Sequence, residues 1–316
     1  MKTDFTYWII RAAIKTLFWP LAILPLNTAI KIGAIGGRVA FYLWASRRRF
    51  AMENVRLAME AGALDPGTPI LETARGSFEN IGRSVVEIVK VLFRRDERLL
   101  GDIEISGGEY LHQALALGKG LIVITGHCGN WELMAIAMAH RFPLKFNVVA
   151  RAQNNPSLDR LVEEFRGRTG NRVIYKAGAV RRILGELNQN HVVGILIDQA
   201  VLAKEGCVIS FLTRPALTTK LPAVLARKKQ TPVLPCFIHR RPDGRHQITV
   251  HPPVDILGDE NTEAAAIEDM QRMTRCVEEY IRNYPDQWLW GHRRWKRAPA
   301  SFEAMEEKTG RATESV

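Results

Sequence analysis

The chain has 316 residues, 47% of them hydrophobic, enough to bury a large core as one big α/β domain or as a domain with an appendage. Its formal charge of +11 predicts attraction to something anionic, and nucleic acid, anionic lipid and an acidic carrier protein all qualify. Four cysteines (Cys128, Cys207, Cys236, Cys276) are far apart and include no C-x-x-C pair, which argues against a structural zinc site or a disulfide framework and fits a reducing compartment.

Residues 5–45 are unusually apolar and aromatic, with Phe5, Tyr7, Trp8, Phe18 and Trp19 early and Phe41, Tyr42 and Trp44 late; Arg47, Arg48 and Arg49 follow at once. Arg11, Lys15, Pro20 and Pro25 break the segment, and no short apolar region leads to a small-residue cleavage site, so a cleavable signal peptide is not expected. Residues 16–37 carry one charge, Lys31, and approach the ~20 residues a membrane span requires. Membrane attachment is the expectation. A kinked span competes with a helix lying in the interface, Trp and Phe on one face and Arg and Lys reaching the headgroups. An ordinary core hairpin of helices is the bland alternative. Residues 1–49 are set apart as this segment, 50–299 as one catalytic domain and 300–316 as a polar tail.

Helices are predicted over 50–61 and 69–93, ending in a charged run at 94–98. Strands follow near 103–106, 121–125, 145–150, 172–175 and 192–197, alternating with helices near 108–118, 130–141, 155–168 and 178–190. Such alternation predicts an α/β fold, a mostly parallel central sheet flanked by helices. Beyond residue 205 the pattern reads strand 207–211, helix 218–229, strands 232–240 and 245–251 around an Arg241-Pro242-Asp243-Gly244 turn, and a long helix over 262–283.

Ligands of open α/β sheets sit at the carboxyl ends of the parallel strands. There the predicted strands deliver His127, Arg151, Tyr175 with Lys176, and Asp198 with Gln199. Gly126 and Gly129 bracket His127 and Cys128 in a sharp turn, and Asn130 is a candidate N-cap for the following helix. In a continuous helix His127 and Glu132 would stand about 140° apart. With His127 on the turn and Glu132 in the first helical turn, they are expected to meet, Glu132 accepting from one ring nitrogen and leaving the other as a general base. The bland reading is a histidine satisfied by backbone and a glutamate serving the helix dipole. Cys128 is a lesser candidate nucleophile, since neighbouring residues on a turn project apart. Zinc is disfavoured: H-E-x-x-H is absent. Arg151 beside a helix start capped by Asn154 or Asn155, with Pro156 as first residue, reads as an anion site that Lys176 extends; Arg181 and Arg182 read better as a solvated face. Asp198 is read equally as a loop anchor or a substrate contact. No P-loop, dinucleotide fingerprint or nucleic-acid motif is present, and no cofactor is expected.

These residues resemble a family. Gly126-His127-Cys128-Gly129-Asn130-Trp131-Glu132 is similar to the H-x4-[D/E] motif of glycerolipid-type acyltransferases, and in this form to the late acyltransferases of lipid A biosynthesis. The stretch from Met52 to Ala58, the Arg151-to-Pro156 segment, Ile197-Asp198-Gln199 and the run from Gln287 to Lys296 resemble further segments of that lauroyl/myristoyl branch. Two stretches depart from it. Phe211-Leu212-Thr213 stands where relatives often have Phe-Phe-Gly, and Ala200-Val201-Leu202 replaces acidic and aromatic residues; both are expected to line the acceptor or acyl pocket. The resemblance implies an enzyme on the cytoplasmic face of the bacterial inner membrane, moving an acyl chain from acyl carrier protein to a hydroxyl of a phosphorylated lipid A precursor. It casts His127 as base, Glu132 as its orienter, the N–H groups of Gly129 and Asn130 as oxyanion donors, and Arg151 as phosphate contact, with Asn154, Lys176, Asp198 and Gln199 as further substrate contacts. Two readings compete: another lysophospholipid or glycolipid acceptor, and a membrane lipid-binding protein with a dead site.

Overall fold

The strand–helix alternation after residue 100 resolves into a seven-stranded sheet in the computed structural model, which describes residues 2–94, 97–175, 178–256, 262–296 and 298. Lys176 and the tail 300–316 lie outside the described residues. Four helices come first: α1 (Lys2–Ile23), α2 (Leu26–Leu43), α3 (Ala45–Glu60) and α4 (Ile70–Arg94). A single turn, α5 (Arg98–Gly101), leads to β1 (Glu104–Ser106), α6 (Gly108–Ala116), β2 (Leu121–Thr125), α7 (Trp131–Arg141), β3 (Phe146–Ala150), α8 (Pro156–Arg166), β4 (Arg172–Tyr175), α9 (Ala179–Asn188) and β5 (Val192–Leu196). Then come a hairpin of β6 (Gly206–Phe211) and β7 (Arg214–Thr219), α10 (Leu221–Lys229), β8 (Val233–Arg240), β9 (His246–Val250) and α11 (Glu263–Asn283).

The sheet order is β1-β9-β8-β2-β5-β3-β4. Strands β8, β2, β5, β3 and β4 run parallel, while β9 is antiparallel to β8 and carries β1 alongside it. Period-two alternation splits the core. Leu121 and Val123 of β2 join Val192 beneath α6 and α7, whereas Ile122 and Ile124 join Val193 and Ile195 on the face covered by α9, α10 and α11. The chain leaves β2 toward β3 on one side and leaves β5 toward β8 on the other, so the carboxyl ends of these neighbours form the crevice where such sheets bind ligands.

Three expectations need correction. The span over 16–37 has no counterpart: a break at Leu24-Pro25 divides it between α1 and α2, and among the described residues no helix is long and apolar enough to cross a membrane. Helix α2 instead lies against α4, where a Cβ on Gly82 would fall 2.0 Å from the Gly33 carbonyl oxygen. The helix predicted from 218 starts at Leu221 because β7 precedes it. The turn into β7 holds Leu212 at φ 49° and Thr213 at φ 63°, left-handed values that no glycine or asparagine advertises. That turn packs on Ala61 through the Thr213 hydroxyl and on α11 through Leu212 N–H to Glu278, so Leu212 and Thr213 do not line the cavity described below.

Candidate active site

All five residues of β2 are buried, so the chain must leave the sheet abruptly to present a polar residue. Gly129 makes this possible: its φ is +57°, and a Cβ there would fall 2.0 Å from the Ile238 carbonyl oxygen. Asn130 then caps α7, its Oδ1 accepting from Leu133 N–H at 3.1 Å. Its amide donates to Glu87 of α4, a buried carboxylate that also holds Arg240 and His246. From the far end of the chain, residues 287–289 lie along the turn like a short strand. Gly129 N–H donates to Gln287 O at 2.8 Å and Leu289 N–H to His127 O at 3.2 Å.

The β2–β5 ladder continues past the strands through Ile197 N–H to Thr125 O, which sets Asp198 opposite His127. Asp198 Oδ1 lies 2.7 Å from His127 Nδ1, and Oδ2 accepts from His127 N–H at 2.7 Å and from Trp288 Nε1–H at 2.8 Å. Asp198 is only 2% exposed. Burial opposes its charge, but the facing His127 and these three donors override that and hold the carboxyl well below its usual range. An ionised carboxylate only accepts, so the imidazole proton belongs on Nδ1 and the lone pair on Nε2. Nε2 faces the Gln199 amide at 2.9 Å, at the mouth of a cavity, with Trp131 edge-on to the ring at 4.9 Å. An imidazole anchored at Nδ1 with Nε2 turned to a cavity is the arrangement of a general base.

The expected pairing of His127 with Glu132 does not form. Helix α7 points Glu132 toward α8, where Arg166 takes both carboxylate oxygens, one of them at 2.8 Å. Glu132 and Arg166 therefore make a charged wall of the same cavity. The oxyanion role expected of Gly129 also fails, because Gln287 already occupies its N–H; Asn130 is buried, engaged as a cap, and absent from the cavity lining. Arg151 and Asn154 stand exposed on the rim, and Asn155, not Asn154, caps α8. Gln199 lines the cavity and meets His127, and Val201 brings the Ala200–Leu202 departure to its wall. Cys128 is buried, and burial raises its thiol well above the ordinary range, so it is no nucleophile.

Three residues that matter escaped sequence reasoning. Arg166 had no signal beyond its charge. Trp288 sits in a stretch marked only by resemblance. His292, in the same stretch, is pushed down to about 4 by burial, and its buried Nδ1 makes no hydrogen bond among the described residues.

The cavity, of about 440 Å³, runs from His127 and Gln199 down between the sheet and α7 to Met138 and Phe146. Below its polar mouth the walls are apolar: Val123, Met134, Val148 and Leu196. Such a slot suits an alkyl chain with a polar head left at the imidazole.

The chain matches the family model of bacterial lipid A biosynthesis acyltransferases over residues 3–297. It is 26% identical to a lipid A biosynthesis lauroyltransferase of Escherichia coli (strain K12) over 298 residues, 93% of each chain. A palmitoleoyltransferase of lipid A biosynthesis from the same organism is 23% identical over 301 residues, 95% of this chain and 94% of that one. A phosphatidylinositol mannoside acyltransferase of Mycobacterium tuberculosis (strain ATCC 25618 / H37Rv) is 27% identical over 192 residues, 59% of each chain.

Proposed function

The chain belongs to the bacterial lipid A biosynthesis acyltransferase family and is an acyltransferase, and from that membership we propose that it moves a fatty acyl chain from an acyl carrier protein thioester to a hydroxyl of a lipid A precursor. The observation that carries the proposal is the Asp198–His127 pair presenting Nε2 at the mouth of a deep apolar cavity. The acyl chain lies in the cavity with its thioester carbonyl beside His127. The acceptor hydroxyl displaces the Gln199 amide from Nε2 and gives its proton to that nitrogen as its oxygen attacks the carbonyl. Asp198 stabilises the imidazolium so formed. The displaced Gln199 amide then donates to the developing oxyanion, the task the Gly129 N–H cannot perform. Collapse of the intermediate expels the carrier thiolate, which takes the proton back from Nε2. Glu132 fixes Arg166 in the wall, and Arg151 on the rim takes an acceptor phosphate.

We place the site of action at the cytoplasmic face of the bacterial inner membrane, and the N-terminal helices support attachment to a membrane surface. Trp8, Leu17, Trp19, Leu43 and Trp44 are exposed, and Arg11, Lys15 and Arg47 sit over the rings of Trp8, Trp19 and Trp44 at 5.5, 5.1 and 5.4 Å. Apolar rings with cations beside them are the makings of a helix pair lying in a headgroup layer of anionic lipid.

The test is transfer by the purified chain from acyl carrier protein to a phosphorylated lipid A precursor, followed by mass spectrometry. His127→Ala should abolish product while leaving the fold intact, and wild-type turnover by that variant would remove the base. The partial match to a phosphatidylinositol mannoside acyltransferase favours a second reading, a different phosphoglycolipid acceptor. Lipid profiles of cells with and without the gene decide between the two.

A further inference from the structure

One residue leaves the middle of the cavity open. Strand β5 presents Gly194 and Leu196 to the cavity, and Gly194 pairs with Val123 of β2 on one side and Val148 of β3 on the other. Glycine weakens a strand interior, and its presence there marks a place where another group comes close. Nothing in the backbone demands it at 194. Its φ is not left-handed, and a Cβ built on it meets only the Asn147 carbonyl oxygen, at an ordinary 3.8 Å. Gly129 is the contrast, with backbone 2.0 Å from its Cβ position. At 194 the missing side chain therefore contributes volume alone. The cavity continues past this level to Phe146, whose register partner is Val192, two residues deeper on β5 and so ~7 Å further down.

We propose that Gly194 sets the depth of the cavity and with it the longest acyl chain the enzyme transfers. This rests on the acyl-transfer reading above. A valine at 194 stands across the slot between Val123 and Val148, closes the compartment above Met138 and Phe146, and leaves the half nearest His127 open. An alanine trims it by a methyl group.

The experiment uses the full chain in detergent micelles, with Gly194→Ala and Gly194→Val, and two readouts. The first is binding of saturated fatty acids of graded length; the second is transfer from acyl carrier protein thioesters of the same lengths. Wild type should bind more tightly as the chain lengthens until the floor is reached. In Gly194→Val the gain should stop several carbons earlier, and kcat/KM for long chains should fall by ~10-fold or more while short chains stay within ~3-fold of wild type. Gly194→Ala should move the optimum the same way by a carbon or two, and it decides the matter if the valine variant does not fold. An unshifted length profile in a folded variant, or equal losses at every length, overturns the role of Gly194 even where wild-type transfer upholds the acyl-transfer reading. Binding that shortens in the variants while wild type transfers to no acceptor refutes that reading and upholds the depth assignment.

Discussion

Replacing Asp198 by asparagine tests the catalytic geometry with the least change of shape. Asp198 receives three donors: the imidazole Nδ1–H on one oxygen, and His127 N–H with Trp288 Nε1–H on the other. Asparagine has one acceptor oxygen and one amide nitrogen. The oxygen will stay with the two donors it can satisfy together, turning the NH2 toward His127 Nδ1. That nitrogen must then accept, so the ring proton moves to Nε2 and the base loses its lone pair on the cavity side. The expected cost is roughly 10³–10⁴-fold in kcat, as for a wrong-tautomer histidine, or about 4–5.5 kcal/mol of transition-state stabilisation. KM for either substrate should change little, because Asp198 does not touch the cavity. Steady-state acyl transfer followed by mass spectrometry reads kcat, a single-turnover run isolates the chemical step, and circular dichroism certifies the fold. Glu132→Gln is the companion, and its loss should be smaller and mostly in KM, since it disturbs the Arg166 wall. The reasoning is refuted if Asp198→Asn stays within ~10-fold of wild type while Glu132→Gln collapses kcat.

Thr213 is a β-branched residue in a left-handed turn, so Thr213→Gly should raise stability by about 1 kcal/mol, read from urea melts; a lower midpoint would mean that its hydroxyl contact with Ala61 outweighs the strain. His292 predicts an acid-sensitive fold. Burial lowers its folded pKa from 6.5 to about 4, so below pH 6.5 the unfolded chain binds a proton there that the folded chain refuses. Its contribution is whole above pH 6.5 and declines as pH falls toward 4. Between pH 7 and 4.5 wild type should lose on the order of 2 kcal/mol more than His292→Gln, and parallel losses would dismiss the residue as the cause. Trp8→Ser, Trp19→Ser and Trp44→Ser together should lower partitioning onto phosphatidylglycerol vesicles by at least ~10-fold, since burying each large apolar side chain contributes ~1.5 kcal/mol or more. Undiminished co-sedimentation would move the anchor to another face. Surface changes serve better than deleting residues 1–45, which would uncover the α4 surface that α2 packs on.

Much of this architecture was legible because local patterns and tertiary demands agree. The apolar β-branched runs at 121–125 and 192–196 are strands in the sheet centre, and the Asn155-Pro156 pair starts α8 as its chemistry predicts. Of the candidate site, the place of His127 just past β2 was legible in the sequence, and the carboxylate that pairs with it was not. His127 and Glu132 are neighbours in sequence, which made their pairing attractive, but the helix turns Glu132 away. The carboxylate that reaches the ring lies on another strand end, and only sheet order brings it there. Asp198 was visible as a polar residue after a strand, with no cue to choose between anchor and substrate contact. The second strand of the 206–219 hairpin was hidden because its turn lacks glycine. Trp288 was hidden because a bond to a residue 90 positions earlier leaves no periodicity to read.

That last bond has a consequence for how the enzyme comes into being. The turn carrying His127 borrows its fourth wall from residues 287–289, and Asp198 takes one of its three donors from Trp288. Residues 127 and 198 leave the ribosome before residues 287–289, so the turn is made before its clamp. Throughout that interval Asp198 lacks its Trp288 donor, and the His127 turn lacks its backbone bonds to Gln287 and Leu289. The surroundings of His127 are thus finished by a segment far downstream of it, whose Trp288 and Trp290 are also buried in the core.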